Sequence, residues 1–245
     1  MTGEPGPGDL AATLSLADWR RSIGTLYAEV RRLAADDPAT ALAHWRAVRE
    51  EMFRNHPQSP VPVADRAAFR ARHFEHDPDL RFVLTVEPLV AAAPTSGLAV
   101  GAIDFGSAPT VDLPVSGTGS ATMSFHRFGA VTVPFAAGPR RLELFWMEGY
   151  AGGLFLPFRD ATNGSETYGA GRYLLDGAKS ADLGGYLPDG DGDGEANAGA
   201  DGARLILDFN FAFQPSCAFD PRFACPLSPP SNRIDFPIRA GERLA

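Results

Sequence analysis

The feature that most limits how this chain can fold is a change in the spacing of its apolar residues near Leu80. Before that point Leu16, Trp19, Ile23, Leu26, Tyr27, Val30 and Leu33 recur every three or four positions, the period of one helical face. After it, Phe82, Leu84 and Val86 alternate with Arg81, Val83, Thr85 and Glu87, the period of a half-buried strand. A period that switches once and does not switch back predicts an α+β, mainly β chain. The architecture expected is an antiparallel β-sandwich or open barrel with two to three N-terminal helices packed on it.

The boundaries follow from local signals. Residues 1–14, rich in Gly and Pro, are expected to be a disordered N-terminus. Residues 15–78 form the helical section and 79–245 the antiparallel β domain. Ser15 is the candidate cap of the first helix. Asp36, Asp37 and Pro38 end it and start a second, with Asp37 as cap and Pro38 in the first turn. Leu42, Trp45, Val48, Met52 and Phe53 are the apolar stripe of that second helix, which Asn55-His56-Pro57 closes, because a residue before proline leaves the α region. A short third helix is expected from Asp65, carrying Phe69. Short segments rich in Val, Phe, Thr and Leu predict strands at 98–104, 109–115, 120–127, 130–135, 141–147, 153–158, 166–174, 204–210 and 234–239. Asn163-Gly164 marks a tight turn. Residues 176–203, with few large apolar side chains, read as an exposed insertion joining two strands.

A formal charge of −8 with no basic patch argues against nucleic acid as a partner. Met1 to Asp9 lacks a basic region followed by an apolar stretch, and no run is long enough to span a membrane. The expected setting is therefore the cytoplasm, away from membranes, with Cys217 and Cys225 reduced.

Four strings carry a family likeness: HPQSP (56–60), PFRDATNGSETYGAGRYL (157–174), LDFNFAFQPSCAF (207–219) and CPLSPPSNRIDFPIRAGE (225–242). Together, from about Ala41 to Glu242, they resemble the bacterial and archaeal family called domain of unknown function 1684. The resemblance implies neither a substrate nor a catalytic residue. The Asp- and Gly-rich stretch around 189–202 departs from the shorter common pattern.

One polar cluster could carry chemistry. If 166–174 is a strand, Glu166, Tyr168 and Arg172 project from one face, and Gly169 and Gly171 lie on the other. The 204–210 segment adds Asp208 and Asn210, and the following loop adds Asn232 and Arg233. An arginine held by a carboxylate, with a phenol and amides beside it, suits a carboxylate or phosphate ligand. The expected function is thus a small polar or anionic ligand site on the β domain, with Arg172 and Arg233 fixing the anion. The architectural reading is that Glu166 and Arg172 pair with each other while Asp208 and Asn210 bond loop backbone. An interaction module built on the amphipathic helices is the other functional class.

The remaining motifs are weak. Cys217 and Cys225 read as buried thiols packing a loop, with a redox-linked pair as the alternative. His73 and His76 flank Glu75 without a third metal ligand, and His56 either serves a site or closes a helix on backbone. Asp189, Asp191, Asp193, Gly194 and Asn197 open like a calcium loop, but its twelfth position, which needs a glutamate, is Ala200. No metal or cofactor is assigned, and no hydrolase elbow, phosphate loop or dinucleotide fingerprint is present.

Overall fold

In the computed structural model, residues 7–89, 108–117, 119–149, 152–186 and 202–244 are described. The expected strand at 98–104 and the Asp-rich run at 189–193 lie outside them.

Helix α1 spans Pro7–Ala34 and α2 spans Pro38–Asn55. The first begins eight residues before Ser15, inside the stretch expected to be disordered. Ser15 is thus no cap, and its hydroxyl donates back to the Ala12 carbonyl (2.9 Å). The start of α2 is as expected: the Asp37 carboxylate accepts from the amides of Ala39 (2.9 Å) and Thr40 (3.2 Å), and Pro38 sits in the first turn, where its missing N–H costs nothing. His56 closes α2 in an extended conformation before Pro57, and its Nδ1 accepts from the Gln58 amide (3.0 Å). The helix expected at Asp65 does not develop; only a 3-10 turn, Val63–Asp65, forms.

Eleven strands follow among the described residues, and every ladder between them is antiparallel. They are β1 (Arg72–His73), β2 (Arg81–Thr85), β3 (Glu87–Pro88), β4 (Thr110–Pro114), β5 (Thr122–Val133), β6 (Arg140–Met147), β7 (Leu154–Phe158), β8 (Arg172–Asp176), β9 (Gly185–Tyr186), β10 (Arg204–Asp208) and β11 (Glu242–Arg243). The largest sheet runs β3-β5-β6-β7-β8, with β4 also on β5; β2-β10-β9 and β1-β11 form two smaller ones. The segments 120–127 and 130–135 are one strand, β5, with a bulge between Arg127 and Gly129. A Cβ at Gly129 would lie 2.9 Å from Val86 Cγ1, so the bulge lets β5 pass close beneath the chain at β3.

The helices share a core with the sheet. Ile23, Leu26 and Val30 of α1 and Trp45 of α2 pack with Phe125, Phe145 and Phe155 of the large sheet, and Trp45 meets Phe211 edge-on at 5.5 Å. Trp45 is wholly buried, and truncating such a side chain costs about 3–5 kcal/mol. Among the described residues no helix is long and apolar enough to cross a membrane.

The expected strand at 234–239 is absent, and that at 166–174 forms only from Arg172. Residues 166–171 are a turn: the Thr162 carbonyl collects the amides of Ser165, Glu166 and Thr167, and Gly171 takes a φ of +106°. Extended pairing resumes only at Arg172. Residues 234–239 run beside the sheet without joining it; Pro237 has no N–H to give a ladder, and the Ile238 and Ala240 carbonyls turn inward to Arg172.

Candidate functional site

Without a strand at 166–171, the shared face drawn for Glu166, Tyr168 and Arg172 does not exist, and the three groups diverge. Arg172 is fully buried. Its Nη2 donates to Asp160 Oδ2 (2.8 Å) and to the Ile238 carbonyl (2.7 Å), and its Nη1 donates to the carbonyls of Ala240 and Glu242. Asp160 in turn accepts from the Thr162 amide (2.8 Å) and hydroxyl (2.6 Å). Only its Nε lacks a partner, and the whole guanidinium is shut away from solvent. Glu166 is held at the surface by Arg239, whose Nε and Nη2 lie 3.0–3.1 Å from its oxygens. Arg239, by hydrogen bond first and then by charge, keeps that carboxyl below its usual range. The Glu166–Arg172 pair of the architectural reading is likewise absent, because each residue has another partner.

The amides and Asp208 brace backbone. Asp208 accepts from the Asn210 amide (2.9 Å) and side chain (2.8 Å), capping the 3-10 turn Phe209–Phe211. Asn210 also holds both backbone groups of Asp77. Asn232 takes the Glu143 amide (2.8 Å) and donates to the carbonyls of Glu143 and Pro157, bridging β6 and β7. Arg233 is exposed and pairs through its backbone with Arg159.

The structure instead places three arginines, Arg70, Arg72 and Arg243, at a cleft of about 440 Å³ between the turn at 65–72, β11 and the segment 214–219. Its geometry comes from the β1–β11 ladder, where Arg72 stands opposite Arg243 and His73 opposite Glu242. Directly paired residues project to the same face, and successive residues to opposite faces. Arg72 and Arg243 therefore share the outer face and line the cleft with Arg70. Among the described residues no carboxylate lies within salt-bridge distance of Arg72 or Arg243, while Arg70 reaches Glu50 only at 4.0 Å. Phe69, Phe219 and Leu244 supply apolar wall, the two rings meeting at 5.9 Å.

Glu242, on the other face of the same ladder, also borders the cleft, as does Asp65, but its carboxylate is engaged from within. Glu242 receives Arg49 Nε (2.5 Å) and Nη2 (3.3 Å) and the Gln214 amide (2.8 Å). Arg49 itself stacks over Trp45, Phe53 and Phe213. Burial pushes the Glu242 carboxyl up, but Arg49, by charge and by hydrogen bond, outweighs it and holds the group ionised below its usual range. Gln214 joins the two faces. It is 5% exposed and lines the cleft; its Nε2 donates to the Arg243 carbonyl (3.3 Å), and its Oε1 has no hydrogen-bond partner. A buried acceptor left unmet costs about 1–3 kcal/mol.

Arg70, Arg72, Gln214 and Arg243 were not singled out in the sequence. The Arg-Ala-Arg alternation at 70–72 was the one available hint, and the partner strand lies at the far end of the chain. The histidine pair does not converge: His73 points inward to the edge of Trp45 (5.8 Å) while His76 is exposed. Among the described residues no three of His, Cys, Asp and Glu are placed to hold a metal ion.

A family model described as "Protein of unknown function (DUF1684)" matches residues 71–243, starting later than the resemblance placed near Ala41 and leaving HPQSP outside it. A solution NMR structure of an uncharacterized protein from Haloarcula marismortui is similar to this chain, with 29% identity and a TM-score of 0.55. The match covers 86% of this chain and 96% of that one. No curated protein matches.

Proposed function

Because this chain belongs to the DUF1684 family, whose description carries no activity, its role must be read from its own side chains, and we propose that it binds a small organic anion in the cleft rimmed by Arg72 and Arg243. The observation that carries this is the pairing of two guanidiniums on one face, neither within salt-bridge distance of a carboxylate among the described residues, although Asp65 and the Arg49-bound Glu242 also line the cleft. Unopposed like charges across a ladder are unfavourable, and a bidentate carboxylate or phosphate is the natural counter-charge. The cleft has the size of an ordinary small-molecule site. Its aromatic and aliphatic wall, Phe69, Phe219 and Leu244, suits a flat apolar body.

This keeps the ligand class expected from the sequence and moves it from Arg172 and Arg233 to another set of arginines. Among the described residues the lining adds the carboxylates of Asp65 and Glu242 and no hydroxyl, thiol or imidazole; the reading is one of binding and assigns no reaction. The setting we take for it is the cytoplasm, where small organic acids and phosphate esters abound.

The test is a titration of isotope-labelled full-length protein with 4-hydroxybenzoate and phenyl phosphate, followed by NMR. The amides of Arg72 and Arg243 and the Gln214 side-chain amide are expected to shift with at least one probe, while neutral benzamide leaves them still. Saturation behaviour that survives in an Arg72→Ala, Arg243→Ala double variant, or no shift at millimolar probe, sinks the reading.

A further inference from the structure

Cys217 and Cys225 meet at a second place in the fold, and the anion cleft makes no use of them. Cys217 sits in the 3-10 turn Ser216–Ala218, and its amide donates to Cys225 Sγ at 3.4 Å. Cys225 is pinned from the other side: its amide donates to Ser116 Oγ (3.0 Å), and its carbonyl accepts from the Ser116 amide (2.9 Å) just past β4. The adjoining Val115–Pro226 bridge and the Leu227 amide on the Pro114 carbonyl fix that segment along β4. Both thiols are free and nearly buried, at 8% and 6% exposure. Both side chains lie in one buried cluster, with Tyr168 packed against it.

From this contact we propose that Cys217 and Cys225 are a dithiol–disulfide couple, with Cys217 the attacking thiolate, Cys225 the resolving thiol, and a small disulfide of the glutathione type as oxidant. The Cys217 thiolate attacks one sulfur of the oxidant, forming a mixed disulfide and releasing one thiolate, which takes up a proton. Cys225 then loses its proton and attacks Cys217 Sγ, closing the internal S–S bond and releasing the second thiol. The protein gives up two electrons and two protons, and the oxidant becomes two thiols. The Cys217 amide already touches Cys225 Sγ, and closing the bond brings the two sulfurs to about 2.05 Å.

The asymmetry of the surroundings sets the order of events. The hydrogen bond from Cys225 is the first cause drawing Cys217 down to about 6; burial opposes it, and the Ser116 and Tyr168 hydroxyls add to the lowering. Cys225 is pushed up, by its bond to Cys217 and by burial. Tyr168, raised to about 12 by burial first, remains a protonated donor. A thiol that ionises near neutral pH, beside one that keeps its proton, is the arrangement thiol exchange needs.

The experiment treats full-length native protein with oxidised glutathione, quenches with acid, alkylates under denaturing conditions, and reads intact mass and peptide maps. The wild type is expected to lose the mass of two hydrogen atoms and to yield one cross-linked peptide pair containing Cys217 and Cys225. Cys225→Ser should stop at a glutathione adduct on Cys217, and Cys217→Ser should react at least tenfold more slowly. In the wild type, iodoacetamide labelling of Cys217 should rise with a midpoint near pH 6 and move upward in Cys225→Ser. The proposal is overturned if the wild type ends unmodified or as a stable mixed disulfide, or if the two single variants react at equal rates.

Discussion

Arg72 faces Arg243 across a two-residue antiparallel ladder that joins the end of the helical section to the end of the chain. The neighbouring pair on that ladder, His73 and Glu242, turns inward, and Glu242 there meets Arg49 of α2. One short pairing thus splits its charges, with a tight ion pair inside and, outside, two cations that have no carboxylate within salt-bridge distance among the described residues.

That division predicts a trade between stability and binding. Replacing Arg243 by Glu gives Arg72 an opposite partner and should stabilise the fold by about 0.2–1 kcal/mol in urea denaturation, while abolishing the NMR response to 4-hydroxybenzoate and phenyl phosphate. A variant that is both less stable and still responsive would show that the pair serves neither role.

The two ionic groups once read as neighbours should behave in opposite ways. Arg172 holds three carbonyls of the C-terminal segment and Asp160 at once, all inside the core. Arg172→Met strands Asp160 and should cost about 3–5 kcal/mol, a large share of the stability of an ordinary domain. Glu166→Ala removes only a surface partner of Arg239 and should leave the denaturation midpoint in place.

Burial depresses His73 from 6.5 to about 4, and Arg46 and Arg49 reinforce this, against the opposing pull of Glu242 and Glu50. A histidine depressed in the folded state takes up its proton more readily when unfolded. Its contribution is therefore complete above pH 6.5 and lost as pH falls through 4. Wild-type stability should fall across that window by roughly 3 kcal/mol at most from this group. His73→Phe, compared by urea denaturation at pH 7 and pH 4.5, should show a shallower decline.

Legibility differed by kind of signal. The switch of period at Leu80, the Asp37–Pro38 start of α2 and the antiparallel strands are local patterns, and each survives in the structure because burial of one face decides the periods and side-chain capping decides the helix start. The cleft was not legible, because parity says which way Arg72 points but not that Arg243 will stand opposite it. The 166–174 segment misled for a different reason. Its residues alternate as a strand should, but the Thr162 carbonyl collects three amides and bends the chain before Arg172 can pair.

Gly171 is what permits that bend, and it gives a matched test. Its φ of +106° is left-handed, and a Cβ there would stand 2.5 Å from the Phe158 carbonyl oxygen. Alanine must therefore bear both the conformational cost and a backbone clash, together about 2 kcal/mol or more. Gly169, two residues earlier, has ordinary φ, and its nearest neighbour for a new Cβ is 3.9 Å away, so Gly169→Ala should stay within about 0.5 kcal/mol of wild type. Urea denaturation of both variants checks this. Equal effects would mean that the turn, and the divergence of Glu166 from Arg172 that rests on it, is not set by this glycine.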